Sequence, residues 1–191
     1  MHFLKQIFSD AEFSQATSDS IISQFKRVTL KKNDFFQQEG KVAQYYYFIQ
    51  SGFARSYAVD ADGNDITTNF YSAGDILIDW YSFIQKTPAL DYIQAMSHCE
   101  SWQIEFNSFQ QMFSTIGSFR DACRARLVGS YFQLKRQSVA MITQTAKERY
   151  LQLLIDKPQI VQSVSLKHIA TYLGITDTSL SRIRKEIAEN M

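Results

Sequence analysis

Ser165-Leu166-Lys167-His168-Ile169-Ala170-Thr171-Tyr172-Leu173-Gly174-Ile175-Thr176-Asp177-Thr178-Ser179-Leu180-Ser181-Arg182-Ile183 decides how this chain is read. Counted from Leu166, Ala170 falls where two helices cross closely and only a small side chain fits. Gly174 follows four residues later, where the chain leaves the first helix through a left-handed conformation. Ile169, Leu173, Ile175, Leu180 and Ile183 supply apolar contacts that fix the interhelical angle. Thr176 caps the second helix, and Asp177 sits in its first turn, where the helix dipole favours an anion. This combination of small residue, turn glycine and spacing predicts a helix-turn-helix rather than a plain αα-hairpin.

The second helix has two unlike faces. Leu180, Ile183 and Ile187 form an inward stripe, while Thr178, Ser179, Arg182 and Lys185 project outward. The N-terminal part of such a helix enters the major groove of double-stranded DNA. Arg182 is the expected base contact, because a guanidinium bonds bidentately to guanine O6 and N7. Thr178 and Ser179 touch bases or phosphates, and Lys185, Arg184 and Lys167 hold phosphates. Upstream, Thr145 caps a further helix that runs through Ile155 and is closed by Lys157-Pro158.

Before it, residues 119–142 contain no proline and a single glycine, Gly129, so one long helix is expected. Leu127, Tyr131, Leu134, Ser138 and Met141 recur along it at spacings of four and three, the pattern of a two-stranded seam between two copies of the chain. A second line, Val128, Phe132, Val139 and Ile142, is expected to face the sheet. The alternative is a helix buried within its own domain.

The N-terminal part reads as strands and turns. Gly40, Gly52, Gly63 and Gly74 follow one another at intervals of 12, 11 and 11 residues, with β-rich runs at 45–49, 54–59, 66–71 and 76–78 between and after them. Turns at such spacing indicate an antiparallel sandwich or barrel. Asp60-Ala61-Asp62-Gly63-Asn64 is a hairpin loop. Further strands are expected at 92–95 and 100–105, then a short helix capped by Asn107.

The 191 residues leave room for one large domain or two small ones. The net charge of +1 argues against nucleic-acid binding by bulk charge, but it divides into −5 over residues 1–117 and +6 over 118–191. Of the latter, residues 118–146 carry +4 and 147–191 only +2, so DNA affinity should rest on dimerisation and groove contacts. No apolar stretch reaches the length of a membrane span, and Lys5 and Gln6 interrupt any signal-peptide core, so the cytoplasm is the expected location. Cys99 and Cys123 fit neither a disulfide framework nor a CxxC motif and are expected to be reduced. His2, His98 and His168 form no metal-ligand cluster, and no phosphate loop or nucleophile motif is present. No enzymatic activity and no cofactor are expected.

The order of parts resembles the Crp/Fnr family of bacterial transcription regulators over nearly the whole chain. Gln38-Glu39-Gly40, Gln50-Ser51-Gly52, Asp62-Gly63 and Ser72-Ala73-Gly74-Asp75 stand at the glycine turns of the family's cyclic-nucleotide-binding domain. The resemblance implies an α+β chain: an antiparallel, jelly-roll-like β-roll sensor over residues 1–117, a dimerisation helix over 118–144 and a helix-turn-helix DNA-binding domain over 145–191, which departs from many relatives in that no full C-terminal wing is expected. It also implies a homodimer, a small-molecule effector held between roll and helix, and RNA polymerase as a further partner.

Members that bind cyclic AMP carry Gly-Glu-Leu after the Gly-Asp turn and Arg-Ser some ten residues on. Here those positions read Ile78-Asp79-Trp80 and Ala89-Leu90. The phosphate-pairing arginine is absent, and each lost charge-assisted hydrogen bond is worth about 1.5–3 kcal/mol. Cyclic AMP is therefore not the expected effector, and only Asp79 keeps a ribose-type carboxylate. Ile78, Asp79, Trp80, Tyr81, Ala89 and Leu90 mark the expected pocket, which holds either an apolar or aromatic ligand beside Trp80 and Tyr81 or nothing. The rival readings are a true cyclic-nucleotide sensor and, from another class, a ligand-binding or protein-interaction module that does not use DNA.

Overall fold

A computed structural model describes residues 3–8 and 13–189. Two short helices, α1 (Phe3–Ile7) and α2 (Gln15–Ser23), precede eight strands: β1 (Lys26–Leu30), β2 (Phe35–Gln37), β3 (Tyr45–Ser51), β4 (Ala54–Val59), β5 (Asp65–Tyr71), β6 (Ile76–Leu77), β7 (Tyr92–Ala95) and β8 (Cys99–Glu105). A one-and-a-half-turn helix, α3 (Trp80–Gln85), interrupts the strands between β6 and β7. Helices α4 (Phe106–Thr115), α5 (Gly117–Thr143), α6 (Ala146–Asp156), α7 (Pro158–Ser163), α8 (Leu166–Tyr172) and α9 (Asp177–Glu189) complete the chain.

The strands form two antiparallel four-stranded sheets, in the orders β1-β8-β3-β6 and β2-β7-β4-β5. The aromatic run at β3 does not alternate in polarity because both its faces are covered. Tyr47 and Ile49 point between the sheets toward Ala54, Ile93 and Ala95. Tyr46 and Phe48 point the other way, into a second core closed by Leu4, Ile21, Phe109, Met112 and Phe119 from α1, α2, α4 and α5. Gly52 has φ +93°, and a Cβ there would lie 2.3 Å from the carbonyl oxygen of His98, so the β3–β4 turn admits only glycine. Cys99 and Cys123 are buried and unpaired with each other, and burial pushes the Cys123 thiol up to about 12.

Helix α5 has 27 residues and spans about 40 Å. Only Phe119 and Cys123, near its start, are buried. The expectation that Val128, Phe132, Val139 and Ile142 face the sheet is not met. They lie in solvent together with Leu127, Tyr131, Leu134 and Met141, all between 43% and 83% exposed. The side turned to the roll is instead mostly polar: Arg126, Ser130, Gln133 and Gln137 repeat there at helical spacing, with Leu134 at its margin.

Three local expectations also shift. Asn107 lies inside α4, whose N-cap is Glu105 without a side-chain cap bond. Lys157-Pro158 ends α6 but also starts α7, because proline at the first helical position has no N–H to satisfy. β1 and β2 add two strands ahead of the expected ones.

The helices after α5 form a third core of Tyr150, Leu153, Ile160, Ile169, Leu173 and Leu180, joined from the roll by buried Phe70 of β5 and by the partly buried Phe53 and Met96. β5 is an edge strand, and other parts of the chain cover its free edge. Thr171 Oγ1 accepts from the Thr67 N–H at 3.2 Å, Gln137 donates to the Thr68 carbonyl at 3.2 Å, and Lys157 donates to the Phe70 carbonyl. Among the described residues no helix is long and apolar enough to cross a membrane.

Candidate nucleic-acid interface and effector cavity

The chain leaves α8 at Leu173 and turns through Gly174, φ +66°, with the Ile175 N–H donating to the Ala170 carbonyl at 3.0 Å. Ala170 is fully buried at the crossing, as the spacing predicts. Thr176 caps α9 by accepting from the Ser179 N–H at 3.2 Å, and its hydroxyl also meets Thr178 and Ser179 at 3.0 Å. Leu180 is buried beneath α9, with Ile183 and Ile187 packed on the same core.

The outer face of α9 exposes Thr178, Arg182, Arg184 and Lys185, while Ser179 is half-buried at the turn. Lys185 lies 3.7 Å from Glu189 one turn on. Lys167, expected at a phosphate, is exposed and its Nζ lies 3.5 Å from Asp65 of the roll. Around that carboxylate sit Arg55, which is 3% exposed and ion-paired with Asp65, and His168 Nδ1 at 3.8 Å. Burial alone would raise the Asp65 carboxyl, but the hydrogen bond and charge of Arg55 outweigh it and hold the group below its usual value. Burial and the Arg55 charge push the His168 imidazole down. α8 is thus seated on the roll by polar groups and by Phe70.

A cavity of about 510 Å³ lies between the roll and α5. Its apolar wall is Ile76, Ile78, Trp80 and Leu134, and Arg126, Lys157, Asp75 and Asp91 bring charges to it. Arg126 donates to the Ile7 carbonyl at 2.8 Å and lies 5.5 Å and 5.6 Å from the ring centres of Phe8 and Phe48. Lys157 donates to the Phe70 carbonyl and lies 3.5 Å from Asp75.

The cyclic nucleotide-binding domain family matches residues 27–115. A regulator from Xanthomonas campestris, described as the c-di-GMP responsive CLP, superposes with a TM-score of 0.73 at 18% identity, covering 93% of each chain. FixK2 from Bradyrhizobium japonicum gives 0.77 at 18% identity over 87% of this chain and 85% of its own. A Eubacterium rectale chain assigned to the crp/fnr family of transcriptional regulators gives 0.72 at 14% identity over 96% and 87%. The chain has the Crp/Fnr fold. No curated protein matches it by sequence.

Within the Crp/Fnr fold, the six residues expected at the pocket separate. Ile78 and Trp80 line the cavity. Asp79 does not: it is the N-cap of α3, accepting from the Ser82 N–H at 2.9 Å. Tyr81 and Leu90 are 64% and 77% exposed. Ala89 is buried, exchanging backbone hydrogen bonds with the turn at Gly40 and Lys41. Carboxylates reach the cavity from Asp75, of the glycine turn before β6, and from Asp91, one position past the cassette. Sequence reasoning passed over Asp91, Arg126 and Lys157. For Asp91 the only available signal was an acid at the start of a strand, next to the position where the family's arginine would stand.

Proposed function

We propose that the chain is a homodimeric, sequence-specific DNA-binding transcription regulator of the Crp/Fnr kind, without enzymatic activity, and that its effector is not cyclic AMP. The observation that carries this reading is the exposed outer face of α9, with Thr178, Arg182 and Arg184 standing beside a capped helix start. Arg182 reads a base edge, and Thr178, Ser179, Arg184 and Lys185 contact bases or phosphates. The partner copy covers the apolar face of α5 along Leu127, Tyr131, Leu134, Ser138 and Met141. A solvated apolar strip of that length is unstable alone, and a second identical helix matches it. The division into a roll sensor, a dimerisation helix and a DNA-binding domain, the cytoplasmic location and a contact with RNA polymerase belong to the same reading.

Selection of bound sequences from random DNA tests it. The enriched site should be an inverted repeat with half-sites about 34 Å apart. Arg182→Ala should weaken binding to that site by about 1–3 kcal/mol and relax the preference at one base position. No enrichment, or a chain that stays monomeric in sedimentation, would overturn the proposal.

A further inference from the structure

The cavity between the roll and α5 is lined by two cations, Arg126 and Lys157, and two carboxylates, Asp75 and Asp91, which differ in how they are partnered. Both of its cations are engaged: Arg126 by the Ile7 carbonyl and two aromatic rings, Lys157 by the Phe70 carbonyl and Asp75. Asp75 is engaged as well, accepting from the Ser72 N–H at 2.8 Å. Asp91 is not. It lines the cavity half-buried, and among the described residues no side chain donates to it and no cation pairs with it. Its charged neighbours are of its own sign: Asp79, committed to the α3 cap, and the exposed Glu39. Tyr71 also lies close, its hydroxyl directed to Ser56 at 3.4 Å.

We infer that this cavity takes a small molecule with a positively charged nitrogen on a flat apolar body, the nitrogen pairing with Asp91 and the body lying against Trp80, Ile78 and Leu134. The inference rests on the reading of the cavity as the effector site and names its ligand class. The cations of the cavity already hold backbone carbonyls of the chain, whereas a partly desolvated carboxylate without a counter-charge is the group a cationic ligand satisfies best. The volume of about 510 Å³ suits a molecule of two or three rings. Burial, with the charges of Asp79 and Glu39, raises the Asp91 carboxyl to about 6. The site is therefore anionic at neutral pH and loses its charge in mild acid.

Titration calorimetry with tryptamine and benzamidine as probes tests this, with indole-3-acetate and cyclic AMP as anionic counterparts. At pH 7.5 at least one amine should bind, Asp91→Asn should weaken it tenfold or more, and the two anions should not bind. Affinity for the amine should fall as the pH drops below about 6. Without ligand, Asp91→Asn should melt no lower than the parent, because the carboxylate it removes has no partner in the protein. Binding of neither amine, tighter binding of either anion, an unchanged amine affinity in Asp91→Asn, or a marked loss of stability in that variant would each overturn the inference. The DNA selection is run on the same preparation. A protein that selects DNA but binds no amine refutes the ligand class alone, and one that binds an amine through Asp91 but selects no DNA refutes the regulator reading alone.

Discussion

The helix-turn-helix is held twice, by two contacts of opposite chemistry. Its own interior is apolar, with Ile169, Ala170, Leu173 and Leu180 fully buried and no polar side chain among them. Its seat on the roll carries many polar contacts: Thr171 on Thr67, Lys157 on the Phe70 carbonyl and Asp75, and Lys167 and His168 around the Arg55–Asp65 pair, beside an apolar contact made by Phe70 with the partly buried Phe53 and Met96. Apolar burial contributes about 25 cal/mol per Å² and has no favourable alternative in water. A polar contact exchanges one set of hydrogen bonds for another and nets about 0.5–1.5 kcal/mol. The first contact is part of the fold, while the second sets a position that a modest energy can change.

Three perturbations separate the two. Leu180→Ala removes a buried side chain from the interior and should cost about 2–5 kcal/mol in chemical denaturation, with loss of DNA binding. A loss below about 1 kcal/mol would mean that the interior is not the stronger contact. Asp65→Asn acts on the seat and should cost on the order of 1–3 kcal/mol, because it deprives the buried Arg55 of its carboxylate. Hydrogen exchange should then quicken at the Thr67 amide while the amides of Leu173 and Leu180 stay protected. Uniform quickening would show that seat and interior are one unit. The smallest effect is expected from acid. The His168 imidazole is pushed below its ordinary value near 6.5, so the fold favours the neutral ring. Its contribution is complete above that value and is lost as the pH falls through the lowered one. Melting temperature should therefore drop more between pH 7.5 and 5.5 in the parent than in His168→Gln. Parallel curves would remove His168 from the seat's pH response.

Much of the fold is legible because it is local. The Ala170–Gly174 spacing, the Thr176 cap and the turn glycines depend on neighbours within a few residues, and the structure has them where the spacing puts them. β1 is harder to see because an edge strand that begins with the exposed Lys26 and Arg27 lacks the apolar alternation of an inner strand. α5 misled in a specific way: the hydrophobic pattern marks a side that is exposed, whereas the roll meets a mostly polar side at Arg126, Ser130, Gln133 and Gln137. The seat was not legible at all. Thr67 and Thr171 stand 104 residues apart, and neither carries a motif. Asp79 and Asp91 are equivalent letters in the sequence, and only the start of α3 assigns the first to a cap and leaves the second to the cavity.

The covering of β5 by Thr171, Gln137 and Lys157 has a consequence for any rearrangement of the molecule. A strand rim stripped of its partners is a template on which another chain can add a strand. If the C-terminal helices swing away to meet DNA, they uncover such a rim. Their undocked form would then be the aggregation-prone one, and the seat acts as a chaperone carried within the chain.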